Sequence, residues 1–254
     1  MDAMQVGLLC AAGLFGGAVN ALAGGGSLLT FPALMAAGLP PLSANVSNSI
    51  AVCPGYVAAV FGSRSDLARQ RRFAVGLIPT GVVGTIVGAA LLLASPASAF
   101  ETVVPVLVIA AALTLAFQGP IRSLIGHPAS MSRRRSMVTT HTIVGIGGVY
   151  GGYFGAALGV MLVAGLALVR HTTLARVTAV KNLISASCGL TSVVVYSLFG
   201  PVNWLAVAIV AVGTVVGGFV GAKAAAVMPQ RILRGFIVAF GVAVGIYLAF
   251  TTYW

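Results

Sequence analysis

Long apolar segments constrain the fold of this chain more than any other feature. They fall at about residues 5–23, 28–38, 44–62, 73–95, 100–119, 139–155, 157–170, 176–199, 203–227 and 232–252. A helix needs about 20 mostly apolar residues to cross the hydrocarbon core of a bilayer, and several of these segments reach that length. Only 7% of the residues are charged, whereas a soluble domain carries about 25%. The sequence therefore predicts an all-α polytopic membrane protein embedded in the lipid bilayer.

Three of these segments, 28–38, 139–155 and 157–170, are too short to cross the bilayer as separate helices. They flank two glycine clusters, which lie at 24–26 and 155–159. Within hydrocarbon, irregular backbone survives only where it is buried in protein or lines a wet cavity. We therefore expect a broken, re-entrant helical hairpin at each cluster. Transporters place binding sites at such breaks, because free amides and helix-dipole ends face the substrate there.

The chain also contains an internal repeat. Three groups of residues recur in the same order, which is hard to dismiss even in a chain so rich in glycine and alanine. The matches pair Gly13, Gly16, Gly17 and Gly24 with Gly148, Gly151, Gly152 and Gly159; Gly84, Gly88 and Pro96 with Gly217, Gly221 and Pro229; and 115–117 with 248–250. We therefore expect two transmembrane repeats, 1–119 and 139–254, joined by a basic cytoplasmic linker, 120–138.

Arginines in the loops indicate how the two repeats are related. Three loops carry arginine in one repeat, and the equivalent loop of the other repeat has neither arginine nor lysine. The arginines are Arg64, Arg69, Arg71 and Arg72, then Arg170 and Arg176, then Arg231 and Arg234, and the counterparts are 200–203, 38–43 and 95–100. By the positive-inside rule, the repeats then have inverted topology. A re-entrant hairpin plus three transmembrane helices per repeat supplies the odd number of crossings required, with both termini outside.

The charge balance favours a small anionic substrate. The chain has 14 lysines and arginines against 3 acidic residues, a net charge of +11. Positive-inside anchoring explains most of the arginines, and no basic patch is interleaved with aromatic residues, so we exclude nucleic acid as a partner. Asp2, Asp66 and Glu101 lie at ends or in loops and provide no buried carboxylate for a coupling ion. Protons stay a candidate coupling ion, carried by a histidine, a hydroxyl or the substrate.

Small amides and hydroxyls are concentrated around the first glycine cluster. With the glycines, the predicted site comprises Asn20, Gly24, Gly25, Gly26, Ser27, Asn45, Ser47 and Asn48. One interpretation is a substrate cage, in which side-chain donors stand beside the free backbone amides of the break. The alternative is helix–helix contact, because Ser, Thr and Asn hydrogen-bond across membrane helices and small residues allow close approach. For Asn45 and Asn48, one turn apart beside the break, the two interpretations are evenly balanced.

The most informative single residue is Lys181, which lies about two turns into the helix that begins near Arg176. An ionisable residue within a membrane segment is a functional hypothesis by default. With no acidic residue nearby in sequence, its partner could be an anionic substrate. The alternative is that the ammonium group reaches the cytoplasmic interface along its flexible stem. The second half of the predicted site comprises Gly155, Gly159, Thr178, Lys181 and Asn182.

No pattern of residues indicates an enzyme. The chain lacks a Walker A motif, an H-E-x-x-H pair and any Cys/His set with metal-ligand spacing. The sequence at 25–27 resembles a serine-hydrolase turn, but no histidine follows in a suitable membrane helix. We therefore predict no catalytic residues, no metal and no other cofactor.

The motifs of both halves resemble those of the TauE/SafE family of sulfite exporters, also grouped as the 4-toluene sulfonate uptake permeases. The resemblance covers nearly the whole chain. In the first half it rests on 20–27, Pro32 and 44–48, and in the second half on 148–155 and 175–182. It implies export or uptake of small sulfur-containing anions, such as sulfite and organosulfonates, in the cell membrane of a bacterium.

Together with the inverted repeats, this resemblance predicts a secondary transporter that works by alternating access in the bacterial inner membrane. Two motifs depart from the family pattern: the second break reads G-A-A-L-G at 155–159, where the family has a G-x-G-x-G-like run, and the asparagine follows Lys181 directly, where the family has K-x-x-N. A passive anion channel of the same architecture is the main alternative, and a membrane-embedded enzyme or a structural subunit are two others. The sequence leaves open the natural substrate, the direction of transport, the coupling ion and a homo-oligomeric state.

Overall fold

The computed structural model describes residues 1–22, 24–117, 132–169, 172–224 and 230–254. Within these ranges the chain forms eleven α-helices and no β-strand. The helices are α1 (Ala3–Leu22), α2 (Ser27–Ala36), α3 (Pro41–Gly62), α4 (Arg64–Ala68), α5 (Arg71–Ala94), α6 (Ala97–Ala116), α7 (Arg133–Tyr153), α8 (Leu158–Val169), α9 (Leu174–Phe199), α10 (Trp204–Ala224) and α11 (Gln230–Tyr253). The all-α prediction is confirmed, and each predicted apolar segment corresponds to a helix. Most of the predicted linker, Arg170 and Pro229 lie outside the described residues.

Six of these helices are long and apolar enough to cross a membrane, judged by length and composition: α1, α3, α5, α6, α9 and α11. Shorter apolar helices are α2, α8 and the stretch Trp204–Gly218 of α10. Large apolar side chains are exposed on the outside of the bundle, among them Phe61, Phe199 and Phe250. Lipid accommodates such a surface, whereas water does not. The chain is a multi-pass membrane protein.

Two pairs of helices approach so closely that their contacts require glycine. α1 runs parallel to α10, and a Cβ atom at Gly17 would lie 2.3 Å from the Thr214 carbonyl oxygen. α5 runs parallel to α7, and a Cβ atom at Gly88 would lie 2.0 Å from the Val149 carbonyl oxygen. Small residues allow this because they let the backbones of membrane helices pack together.

The α1–α10 and α5–α7 contacts correspond to each other. The contact between Gly13 and Gly213 is equivalent to that between Gly148 and Gly84, and the contact between Leu14 and Gly217 is equivalent to that between Val149 and Gly88. In this matching Gly84 corresponds to Gly213, whereas the sequence repeat predicts Gly217. These contacts match the two helices one turn away from the predicted pairing, because glycine recurs at every fourth residue of α10 and its pattern fits neighbouring registers equally well. The inverted relation of the two halves stays a prediction.

Helices α3 and α9 cross in antiparallel directions. Gly189 of α9 packs against Cys53 and Tyr56 near the middle of α3. Farther along, the Asn182 side-chain amide donates to the Ala59 carbonyl oxygen at 3.2 Å and to a serine hydroxyl after α3 at 3.1 Å. The end of α3 therefore lies beside the start of α9.

Arginines gather at this end of the bundle, which we call the arginine-rich end. α5 starts there because only α4 separates it from α3, and α7 starts there because it runs parallel to α5. The arginines are Arg64, Arg69, Arg71, Arg72, Arg134, Arg135 and Arg176. The opposite end holds the connections at 37–40 and 200–203, which are joined where the Ser43 hydroxyl donates to the Pro201 carbonyl oxygen at 2.8 Å.

Candidate functional site

The chain breaks inside the bundle between α1 and α2, and again between α7 and α8. The backbone turns at Gly24 and Gly155, whose φ angles are +78° and +75°. These left-handed values favour glycine, because a side chain would crowd the neighbouring carbonyl oxygen. Ala157 also has a positive φ, of 59°, so the second break stores backbone strain that glycine would relieve.

The two breaks meet. A Cβ atom at Gly24 would lie 3.4 Å from the Cα atom of Gly159, so a single methyl group would bring the two breaks into van der Waals contact. α2 and α8 thus bring their N-terminal ends together. The amide N–H groups of Gly26, Ser27, Ala157 and Gly159 have no acceptor among the residues that the structure describes. Free amides of this kind carry the positive end of a helix dipole and attract anions.

Lys181 of α9 lies against the second break. Only 7% of its side chain is exposed, and its Cδ atom would be 3.5 Å from a Cβ atom at Gly159. Within the described ranges its ammonium group has neither a carboxylate nor a hydrogen-bond acceptor as a partner. A buried ion without a partner is strongly unfavourable. A bound anion would supply the missing partner.

A small polar cavity lies beside the breaks and is walled by α3 and α9. Its polar lining side chains are Ser27, Asn48, Ser49, Tyr56, Ser185 and Ser192. The Ser185 hydroxyl is buried and has no hydrogen-bond partner in the described part of the chain. The cavity volume is about 20 Å³, which is room for about one water molecule. Helices around it must therefore move before a polyatomic anion can bind.

Several predicted site residues come together at this point. Ser27, Asn48 and Gly155 line the cavity, and Gly24, Gly159 and Lys181 meet beside it. Asn48 accepts a hydrogen bond from the Thr30 hydroxyl, which leaves its amide nitrogen to donate. Asn20 reaches α3 beside the cavity wall, where its Nδ2 atom would lie 4.0 Å from a Cβ atom at Gly55. Residues from both halves of the chain thus contribute to one site.

Three of the predicted amides and hydroxyls have partners elsewhere in the protein. Ser47 accepts from the backbone amide of Asn203 at 2.9 Å, near the end opposite the arginines. Asn182 holds α9 against α3 through the two hydrogen bonds given above. Asn45 donates to the Tyr153 carbonyl oxygen at 3.0 Å, while its own Oδ1 is buried and has no partner among the described residues. These contacts are those expected of side chains that hold helices together.

Gly25, Gly26 and Thr178 also lie away from the cavity lining. A Cβ atom at Gly25 would lie 3.1 Å from the Leu115 side chain, and one at Gly26 would lie 2.1 Å from the Gly16 carbonyl oxygen. Thr178 is half-buried on α9 and does not line the cavity. For these three residues a part in substrate binding stays a prediction.

Of the polar lining residues, the predicted set omits four: Ser49, Tyr56, Ser185 and Ser192. Ser185 follows Lys181 by one helical turn and Ser192 lies two turns further on, so the three residues share one face of α9. That periodicity could have indicated both serines. Tyr56 carries no comparable signal, because an aromatic residue in a membrane segment is usually there for packing.

The sequence profile of the family described as "Sulfite exporter TauE/SafE" matches residues 9–248. The match includes both breaks, the cavity and Lys181. This chain belongs to that family. The resemblance of its motifs to those of sulfite exporters is therefore confirmed.

Curated relatives match along most of their length. The chain is 27% identical over 236 residues to "Probable membrane transporter protein YfcA" of Escherichia coli strain K12, covering 92% of this chain and 86% of that protein. It is 28% identical over 247 residues to "Probable membrane transporter protein ORF9" of Sinorhizobium sp, covering 94% and 90%. No solved structure matches the chain. The family and these relatives carry the names of membrane transporters, not of enzymes.

Proposed function

We propose that the protein is a secondary transporter of small anions, and that sulfite and organosulfonates are among its substrates. The observation that carries this proposal is a buried lysine without an acidic partner at the place where two helix N-terminal ends meet. Lys181 and the free amides beside Gly24 and Gly159 all contribute positive potential. An intramembrane charge of this kind marks a substrate pathway. The family description supports sulfur oxyanions as the substrate class.

The binding site in this proposal draws donors from both halves. Ser27 and Asn48 come from the first half and Ser185 from the second, and Lys181 of the second half lies beside the cavity against Gly159. An oxyanion with three oxygens can accept from hydroxyl, amide and ammonium groups at the same time. Because the cavity now holds about 20 Å³, substrate binding and helix movement occur together.

Alternating access requires two halves that can exchange roles across the membrane. The matched α1–α10 and α5–α7 contacts support this arrangement. Helix directions support it as well. α3 starts beside the start of α1, because a Cβ atom at Gly38, just before α3, would lie 3.9 Å from Gln5 Nε2. α5 then runs back toward that end, in the direction opposite to α1 and α3. Since α7 is parallel to α5, it runs opposite to α1. We therefore interpret the halves as inverted repeats.

The arginine-rich end faces the cytoplasm in this proposal, as the positive-inside rule favours, and the membrane is the inner membrane of a bacterium. Both chain termini then lie outside. The C-terminal end of α11 is beside the start of α6, where the Tyr253 hydroxyl donates to the Thr102 carbonyl oxygen. Protons are the candidate coupling ion, because none of the membrane helices in the described ranges offers a buried carboxylate for sodium.

The test is the flux of labelled sulfite, and then of a series of small sulfonates, into proteoliposomes with and without a pH gradient. We expect saturable uptake that also shows counterflow. Lys181→Met keeps the length of the side chain and removes its charge, so flux should fall at least tenfold. Lys181→Arg keeps the charge and is the matched control, for which we expect partial activity.

Other outcomes discriminate between the alternatives. Conductance that does not saturate and shows no counterflow would indicate a passive anion channel. Wild-type flux that Lys181→Met leaves unchanged would remove the lysine from the site. Absence of flux for every anion tested would overturn the proposed function.

A further inference from the structure

Asn48 and Lys181 occupy equivalent positions in the two halves of the bundle. α3 and α9 cross with matched contacts: Gly189 lies against Cys53 and Tyr56, and Tyr56 shares a buried cluster with Ala186. If Cys53 is matched with Ala186 and Tyr56 with Gly189, the contact between Cys53 and Gly189 corresponds to the contact between Ala186 and Tyr56. The same matching, continued by one to two turns along each helix, pairs Asn48 with Lys181.

The two equivalent residues differ in charge. Asn48 is neutral and accepts a hydrogen bond from Thr30, a residue of α2. Lys181 is a cation whose stem lies against Gly159, a residue of α8, and its ammonium group has no partner among the described residues. Each residue thus contacts the short helix of its own half, but only the second half places a positive charge there.

The two residues also lie toward opposite ends of the bundle. Lys181 is about two turns from the start of α9, at the arginine-rich end, and Asn48 is about two turns from the start of α3, at the other end. Ser185, one turn deeper than Lys181, lines the cavity, whereas Lys181 itself does not. An anion that arrives from the arginine-rich end therefore passes a cation before it reaches the cavity. One that arrives from the other end meets a neutral amide.

We infer that this difference makes the transporter kinetically asymmetric, with a higher apparent affinity for its anion on the arginine-rich face. The inference rests on the proposed function. Attraction between an anion and a buried ammonium group is strong because little water screens it. When the cavity opens to the other face, the contact between Lys181 and α8 keeps the charge away from the entrance.

This asymmetry has a thermodynamic signature. A carrier without a driving gradient cannot produce net flux, so the ratio of maximal rate to KM must be equal for the two directions. A lower KM on the arginine-rich face is therefore accompanied by a lower maximal rate from that face. We expect KM values for sulfite to differ about tenfold between the faces, which corresponds to about 1.4 kcal/mol in binding.

The experiment measures sulfite uptake from each face of proteoliposomes at equal pH and zero membrane potential, with orientation determined by protease access to a C-terminal tag. Wild type should show the lower KM at the arginine-rich face. Lys181→Asn should make the two KM values equal within about twofold, at the higher of the two values. The double variant Asn48→Lys/Lys181→Asn should reverse the asymmetry.

Three results would overturn the inference. These are equal KM values for the wild type, an asymmetry that persists in Lys181→Asn, and a lower KM on the face away from the arginines. The single variant decides the matter alone if the double variant does not fold. Saturable flux with equal KM values would refute the asymmetry and leave the proposed function standing, whereas absence of saturable flux in the wild type would refute both.

Discussion

Ser185 is the residue whose environment is hardest to explain by stability. Its hydroxyl is buried, lines the cavity and has no hydrogen-bond partner among the described residues. An unsatisfied buried polar group is unfavourable by about 1–3 kcal/mol. Nearby Ser187, by contrast, donates to the Leu183 carbonyl oxygen of its own helix at 2.9 Å. A ligand that completes the hydrogen bond of Ser185 would explain why the chain retains a hydroxyl there.

Ser185→Ala should therefore separate stability from binding. We expect the melting temperature in detergent to stay unchanged or rise, because an unsatisfied hydroxyl is removed. KM for sulfite should rise about tenfold, since a hydrogen bond to a charged group is worth about 1.5–3 kcal/mol. Ser187→Ala is the matched control and should change neither quantity. A lower melting temperature with unchanged KM would show that the Ser185 hydroxyl serves packing alone.

Asn182 should behave in the opposite way. Its amide joins α9 to the end of α3 through Ala59 and Ser63. Asn182→Ala removes both hydrogen bonds, so the free energy of unfolding should fall by about 1–3 kcal/mol while KM for sulfite stays within about twofold. Thermal unfolding in detergent and substrate flux measure the two effects. A tenfold increase in KM at unchanged stability would instead place Asn182 among the binding residues.

Single residues differ in how well their roles follow from sequence. Lys181 could be singled out because a charge deep in an apolar segment is rare and has few structural explanations. Ser47 and Asn182 could not be assigned, because the same hydroxyl or amide serves equally well in a substrate cage or between helices. Only the partner decides, and the partners, Asn203 and Ser63, are distant in sequence.

Helices were easier to predict than their contacts. Apolar runs give each helix to within a few residues, because membrane helices must be apolar along their whole length. The short helix α4 has no such run, since it reads R-S-D-L-A. The alignment of α10 with α5 could not be fixed from sequence, because glycines spaced four residues apart in α10 fit several neighbouring alignments. Contacts between backbones, not the glycine pattern, fix which turn of α10 faces α1.

Matched glycines provide a test of these contacts. A Cβ atom at Gly88 would lie 2.0 Å from the Val149 carbonyl oxygen, and one at Gly217 would lie 1.9 Å from the Leu14 carbonyl oxygen. Gly88→Ala and Gly217→Ala should each destabilise the fold by about 1–3 kcal/mol, by overpacking a helix contact. Gly76 of α5 has nothing within 4 Å of an added Cβ, so Gly76→Ala should be neutral or stabilising.

Melting temperatures in one detergent measure all three glycine variants. Similar losses for the two glycines are expected if the α1–α10 and α5–α7 contacts are equivalent. A loss confined to one of them would argue against equivalent halves. A comparable loss for Gly76→Ala would show that helix flexibility, and not close contact, is what the glycines provide.

At the scale of the whole molecule, the small volume of the cavity is the central observation. With about 20 Å³ between α3 and α9, this conformation leaves no room for a polyatomic anion in the cavity. Transport therefore requires at least one further conformation. A native thiol can report it, because Cys188 is 2% exposed and lines the cavity, with its thiol donating to the Gly81 carbonyl oxygen at 3.7 Å. Cys53 is 3% exposed, packs against the lining residue Gly189 and is not itself a lining residue.

Cys188 should therefore become reactive only when the cavity opens. In the Cys10→Ser/Cys53→Ser background, we expect a small membrane-impermeant thiol reagent to modify Cys188 slowly from either face, and saturating sulfite to slow the reaction several-fold. The matched Cys10→Ser/Cys188→Ser background leaves Cys53, which should not react. Mass spectrometry of the intact protein measures modification. Absence of reaction from one face would contradict alternating access, and consumption of a thiol trapped inside the vesicles would indicate a pore open to both faces at once.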